Sequence, residues 1–348
     1  MKKLVCLLLV LSMTAALLVG CANQPATGTT EAKAEGKPAE TSDAAVKTGL
    51  SMITSVSSSK SASAEEEGVA QTNVTLVAVN VGNDGVIDSC VIDMIQAKIK
   101  FGADGVITTD LATEFPSKNE LGEGYGMKKA SSIGKEWNEQ ADAMAKYVVG
   151  KTLDQVKSIA MDESGKATDA DLAASVTMSI GDFLAGIEDA VNKAEHRGAK
   201  KGDTLKLSSI TNMSKSKNAS ADGDGVAQAY ATVAVVTLKD NTVSSCYIDA
   251  VQANVNFNTK GEITGDVNAA IATKNQLGDN YGMKKASSIG KEWNEQAAAF
   301  CKYVTGKTVS EVAAIAVDES GHSTDADLAA SCTVGVTEFM ELIAKAAK

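Results

Sequence analysis

The chain repeats itself, and that repetition limits its architecture more than any other feature. Tyr125 to Ala141, YGMKKASSIGKEWNEQA, returns unchanged as Tyr281 to Ala297. Leu50-Ser-Met-Ile-Thr54 is matched by Leu207-Ser-Ser-Ile-Thr211, and Gly68-Val-Ala-Gln71 by Gly225-Val-Ala-Gln228. Asp169-Ala-Asp-Leu-Ala-Ala-Ser175-Val-Thr177 returns as Asp325-Ala-Asp-Leu-Ala-Ala-Ser331-Cys-Thr333. A period of about 150 residues is the size of a domain and too long for a solenoid unit. Two homologous tandem domains are therefore expected, over 48–195 and 204–348, with the boundary in the polar run Lys193 to Asp203.

Within each copy, strand-like segments precede helix-like ones. Val74 to Val81 and Val86 to Phe101 are rich in Val and Ile, with Asn83-Asp84-Gly85 between them as a hairpin turn, and Val106 to Thr109 continues the sheet. The second copy gives Thr232 to Leu238, Val243 to Phe257 and Glu262 to Thr264. Ser132 is placed to cap a helix carrying Ile133, Trp137, Ala141, Met144 and Val148, which Gly150 stops, and both Trp137 and Trp293 fall on apolar faces suited to a core. Thr152 to Gln155 and Thr308 to Glu311 have capping-box spacing. A last helix is expected to open at Ser175 and Ser331, on Val176, Ile180, Phe183, Leu184, Ile187 and Val191 in the first copy. The predicted class is α+β, each domain a mostly antiparallel sheet with helices packed on one face.

The beginning of the chain reads as an export signal. Met1-Lys2-Lys3 is a positive n-region, Leu4 to Leu18 an apolar h-region, and Leu18-Val19-Gly20-Cys21 resembles the lipobox of bacterial lipoproteins. Residues 1–21 are thus expected to be a lipoprotein signal, with Cys21 acylated and holding the protein on the extracytoplasmic face of a membrane. Residues 22–47, mostly Ala, Thr, Gly, Glu and Lys, cannot bury enough apolar surface to fold and form a disordered tether.

Charge and cysteine usage exclude several chemistries. A formal charge of −11 lacks the basic face that nucleic acid needs. Two histidines and no C-x-x-C leave no zinc motif, c-type haem attachment or iron–sulfur pattern. No metal is expected, and redox chemistry would need an organic cofactor. Cys90 and Cys246 read as buried inert thiols, and Cys301 and Cys332, without counterparts in the first copy, as a pair that an extracytoplasmic setting would allow to bond.

The repeated loop D-A-D-L-A-A-S-V-T resembles the covalent attachment motif of the FMN-binding domain family, usually D-x-x-S-G-A-T-x-T. The resemblance places Asp169 and Asp325 on the motif aspartate, Ala174 and Ala330 on its alanine, Ser175 and Ser331 on the acceptor hydroxyl, and Thr177 and Thr333 on the second hydroxyl. Leu172 and Leu328 stand where the motif has serine, and Ala173 and Ala329 where it has glycine. With the lipobox and the duplication, the chain is similar to two-domain extracellular electron-transfer flavolipoproteins. The resemblance implies two FMN groups joined as phosphoesters by an FAD-dependent flavin transferase. It also implies a role as electron carrier rather than enzyme, between a membrane NADH dehydrogenase and quinone pool and extracellular acceptors such as ferric iron.

Physical reasoning supports parts of this. The alanines leave room around an attacking hydroxyl, and a helix opening at the loop would favour the phosphate through its dipole. Tyr125, Met127 and Lys128, with Tyr281, Met283 and Lys284, are candidates to flank an isoalloxazine ring. The alternatives are structural: helix caps for the aspartates and hydroxyls, and a shared turn for the Tyr-Gly-Met-Lys segments. A surface ligand-binding lipoprotein without covalent flavin is the competing reading of the whole chain.

Overall fold

Alternating Val and small residues in each copy build long antiparallel strands whose two faces are both buried. The computed structural model describes residues 44–348; the expected signal, Cys21 and the tether up to residue 43 lie outside these. Strand β1 (Ala45–Ser55) opens inside the stretch read as tether. Hairpin strands β2 (Gly68–Gly82) and β3 (Ile87–Phe101) follow, turning at the predicted Asn83-Asp84-Gly85, where Gly85 takes a φ of 78°.

Helices α1 (Lys118–Leu121), α2 (Trp137–Val148), α3 (Leu153–Lys157), α4 (Ala170–Ala173) and α5 (Gly181–Asn192) complete the first copy. Strands β4 (Glu195–Lys200), β5 (Thr204–Asn212), β6 (Gly225–Lys239) and β7 (Thr242–Phe257) come next. The chain ends with α6 (Lys274–Leu277), α7 (Trp293–Val304), α8 (Val309–Ala313), α9 (Ala326–Ala329) and α10 (Thr337–Ala346). Among the described residues no helix is long and apolar enough to cross a membrane.

Two antiparallel sheets result, ordered β3-β2-β1-β4 and β5-β6-β7. The polar run read as a boundary is therefore built into the fold: Glu195–Lys200 pairs with β1 as an edge strand, the position where charged residues are best tolerated. Alternation along the strands sorts side chains into layers. Val77, Val79 and Val81 pack under α2 and α5, while Val74, Leu76 and Ala78 meet Ala231, Val233 and Val235 of the other sheet. Ala234, Val236 and Leu238 in turn pack under α7 and α10. The order is helices, sheet, sheet, helices, and the described residues belong to one compact unit. Both faces of β2 and β6 are covered, which explains apolar runs where a half-solvated strand would alternate.

The seam between the sheets holds a matched pair of aromatics. Phe101 and Phe257, the last residues of β3 and β7, stack with centroids 4.3 Å apart. Around them the copies exchange backbone bonds. Ile107 N–H donates to Asn218 Oδ1 at 2.9 Å and Ala219 N–H to the Gly105 carbonyl at 2.9 Å. Reciprocally, Ile263 N–H donates to Ser61 Oγ at 3.0 Å and Ala62 N–H to the Gly261 carbonyl at 2.8 Å. This exchange corrects one expectation: Val106 to Thr109 and Glu262 to Thr264 do not extend the sheets as strands. Each makes one bridge, Ile107 to Phe101 and Ile263 to Phe257, and turns the N–H of that isoleucine across the seam while its neighbours bond within their own copy.

Two helix boundaries also differ from expectation. Ser132 caps nothing; Gly134 at φ 64° breaks any helix there, and α2 begins after Glu136, whose N–H is taken by the Glu139 carboxylate at 2.8 Å. The last helix of the first copy begins only at Gly181, so Val176 and Ile180 precede it, and Val336 is the N-cap of α10. Thr152 and Thr308 cap α3 and α8 as their spacing predicted.

Candidate functional site

The repeated acidic and hydroxyl-bearing loop folds identically in both copies. Asp169 caps the single turn of α4, accepting the Leu172 N–H at 3.0 Å, and Asp325 caps α9 through Asp327 and Leu328. Those backbone bonds, then the Tyr303 hydroxyl, hold the Asp325 carboxyl below the usual carboxylate range. Ser175 ends the turn that Asp169 starts. Its hydroxyl donates back to the carbonyls of Asp171 at 3.2 Å and Leu172 at 3.3 Å, as Ser331 does to Asp327 at 3.4 Å and Leu328 at 3.2 Å. These serines thus stand at a carbonyl end and not at the mouth of the last helix, which corrects the expected dipole assistance. Serine bonding back to i−3 and i−4 carbonyls is a common way for such a turn to close. The serines are half-buried, and the neighbouring Ala174 and Ala330 are exposed.

Thr177 and Thr333 are held differently. Gln140 Oε1 accepts both the Thr177 N–H, at 2.8 Å, and its hydroxyl, at 3.2 Å. Gln140 Nε2 donates to Ser131 Oγ at 3.1 Å and the Lys135 carbonyl at 3.2 Å. Gln296 repeats the set with Thr333, Ser287 and Lys291. A buried glutamine in the first turn of α2 or α7 therefore ties the two predicted loops of each copy together.

The Tyr-Gly-Met-Lys segments are anchored to the same helix starts. The buried Glu136 carboxylate accepts Met127 N–H at 2.8 Å and Lys128 N–H at 2.9 Å, and Glu292 does the same for Met283 and Lys284. Met127 and Met283 lean into the helical cores, while Lys128 and Lys284 are exposed, Lys128 pairing with Glu123 at 3.4 Å.

Each tyrosine of these segments already has a cation on its ring. Lys118 Nζ lies 4.4 Å from the Tyr125 centroid and 5.0 Å from that of Trp137. Lys274 Nζ lies 4.8 Å from Tyr281, 4.7 Å from Trp293 and 4.7 Å from Tyr230, whose hydroxyl takes its proton at 2.9 Å. Burial pushes Lys274 down to about 8. Trp137 and Trp293 are core residues, set edge-on to Phe183 and Phe339.

A cleft flanks each capping aspartate. One of about 420 Å³ is lined by Tyr147, Lys151, Ile159, Thr168 and Asp169, and its counterpart of about 350 Å³ by Tyr303, Lys307, Ile315, Thr324 and Asp325. Lys151 stands 4.3 Å over the Tyr147 ring and Lys307 4.4 Å over Tyr303, and each tyrosine lines its cleft together with the capping aspartate. These tyrosines, the two glutamines and the two buried lysines are site elements that sequence reasoning missed. Their signal was available: Gln140 lies in the identical block, and each Tyr-Lys pair recurs at the same spacing. Among the described residues no group of three or more His, Cys, Asp or Glu is arranged to hold a metal ion. The chain matches no family model, no curated protein and no solved structure.

Proposed function

We propose that the chain is two homologous FMN-binding-like domains fused through their sheets, an electron carrier with one covalent FMN on Ser175 and one on Ser331. The observation that carries this reading is the recurrence, in both copies, of the motif-matched serine at the end of a single aspartate-capped turn beside an exposed alanine. Each Ser hydroxyl spends its proton on backbone carbonyls beside exposed alanines, which leaves oxygen lone pairs for attack on a pyrophosphate. Each Thr hydroxyl donates too, to a buried glutamine that also holds the Thr N–H, so the threonine is the more tightly fixed of the two. The adjacent clefts offer an aromatic wall, a lysine and an apolar side next to the capping aspartate, room for a planar ring.

When bound, FMN supplies a group that takes up and returns electrons. The protein's own residues present the acceptor oxygen, cap the loop with Asp169 or Asp325, and set the loop against the Tyr-Gly-Met-Lys segment. The chain is then a substrate of a flavin transferase and no enzyme itself. Acylated at Cys21, it would take electrons from a membrane NADH dehydrogenase and quinone pool and pass them to extracellular acceptors such as ferric iron.

Intact mass of protein made with and without an FAD-dependent flavin transferase tests this. Two FMN phosphoesters, mapped to the peptides holding Ser175 and Ser331, are expected; label on Thr177 and Thr333 would move the acceptor, and an unmodified colourless chain would refute the carrier. A surface ligand-binding lipoprotein is then the reading left, and a cavity of about 610 Å³ between β4, β7 and α7 favours it as second choice.

A further inference from the structure

The second copy carries a chemistry that the first lacks. Position 301 is cysteine where the first copy has Ala145, and position 332 is cysteine where it has Val176. Cys246 on β7 and Cys301 on α7 belong to one core cluster, and the Cys301 thiol beside it, with burial, holds the Cys246 thiol well above its ordinary value. Both also line the cavity of about 610 Å³, with His196 and Arg197 of β4 and Lys302 on its wall. In the first copy the corresponding space is about 190 Å³ and holds Cys90 beside Ala145, so no thiol pair can form there.

We propose that Cys246 and Cys301 are an oxidisable dithiol that closes to a disulfide joining β7 to α7, the oxidant being a low-molecular-weight or protein disulfide reaching them from the cavity. The neighbouring Cys301 and burial keep the Cys246 thiol protonated at rest, and Arg197, 4.0 Å over the Tyr247 ring, is the nearby positive charge that opposes them as the thiol ionises. That thiolate, its proton released to water, attacks one sulfur of the incoming disulfide and expels the first thiolate. Cys301 then loses its proton, attacks the mixed disulfide and expels the second. One S–S bond is exchanged for another. Two electrons pass from the protein pair to the oxidant, and the two protons end on its thiols. Cys332 adjoins Cys301 but does not line the cavity, so it is not the partner. The sequence left the state of Cys301 and Cys332 open; in the structure Cys90, Cys246, Cys301 and Cys332 are free thiols.

Lysines separate Cys90, Cys246, Cys301 and Cys332 into four tryptic peptides. The full chain, both kept folded and refolded from denaturant, is incubated with glutathione disulfide, alkylated and digested. A reductant-sensitive link between the Cys246 and Cys301 peptides is expected, with loss of two hydrogen masses. Cys332→Val should keep the link and Cys301→Ala abolish it, each variant carrying the residue of the first copy. Wild type should also melt roughly 5 °C higher oxidised than reduced, a difference absent from Cys301→Ala. A Cys301–Cys332 link, a persistent glutathione adduct, or four alkylated thiols after both incubations would overturn the proposal.

Discussion

Replacing Gln140 by alanine should loosen both loops of the first copy at once. The side chain is fully buried and makes four hydrogen bonds, two accepted from Thr177 and two donated to Ser131 and Lys135. Alanine leaves the Thr177 N–H without its 2.8 Å acceptor and strands the Lys135 carbonyl. At about 1 kcal/mol net per bond, raised by the stranded groups and reduced where water reaches half-buried Thr177 and Ser131, the cost is about 3 kcal/mol. In a chain of this size that lowers the melting temperature by about 6 °C. Urea unfolding gives the energy, and hydrogen exchange gives the location: protection should fall across Thr177 and Lys135 and hold at Thr333 and Lys291, where Gln296 is intact. Gln140→Glu keeps the acceptor and loses the donor, so it should weaken Ser131 and Lys135 more than Thr177. A loss under 0.5 kcal/mol with unchanged exchange in both loops would refute the bridge.

Phe101→Ala and Phe257→Ala should each cost about 3–5 kcal/mol, with a coupling of about 1 kcal/mol in a double-mutant cycle from the lost stack, and one unfolding transition should persist until the seam fails. Asp93 and Asp249 are buried carboxyls pushed up to about 6 by desolvation. The folded state therefore holds protons that the unfolded chain has released between about pH 4 and 6, so stability is greater below that window and falls as pH rises through it, by at most about 3 kcal/mol per residue. Asp249→Asn, followed by urea unfolding across pH, should flatten that slope and stabilise at pH 7. Ser175→Ala should remove one FMN by intact mass and halve the reducing equivalents taken up per chain in a reductive titration, with Ser331 still fully modified.

The hairpins were legible because their turns and Val-rich runs are local, and the caps at Thr152 and Thr308 because a capping box is read within four residues. What failed is what long-range packing decides. β4 reads as a polar linker until β1 offers it an edge. Residues 106–109 look like a strand, yet they make one bridge to Phe101 and the Ile107 N–H goes to Asn218 of the other copy. Ser175 lies just before an apolar helical pattern, yet Asp169, six residues earlier, draws the chain into a turn that delays the helix to Gly181. At the site, the motif picked out the loops, while the glutamine between them was marked only by its place in the identical block, where nothing local says that its amide reaches a loop 37 residues away.

The layer order bears on what duplication provides. Each candidate loop belongs to a helical layer, and two sheets about 10 Å apart stand between the layers. Perturbations at that separation add independently, so one loop has no direct route by which to alter the other. On the proposed reading, duplication would double the number of cofactors per chain, each in its own helical layer. It also frees one copy to change: Asp142 pairs with Lys146 at 2.6 Å in the first, whereas the second has Ala298 there and opens the larger cavity beside Cys246 and Cys301. The seam had no such freedom. Phe101 needs Phe257 opposite it and the crossed bonds need both turns, so Phe101, Gly105 and Ile107 recur as Phe257, Gly261 and Ile263, while the layer between the sheets tolerates exchange, with Val74, Leu76 and Ala78 answered by Ala231, Val233 and Val235.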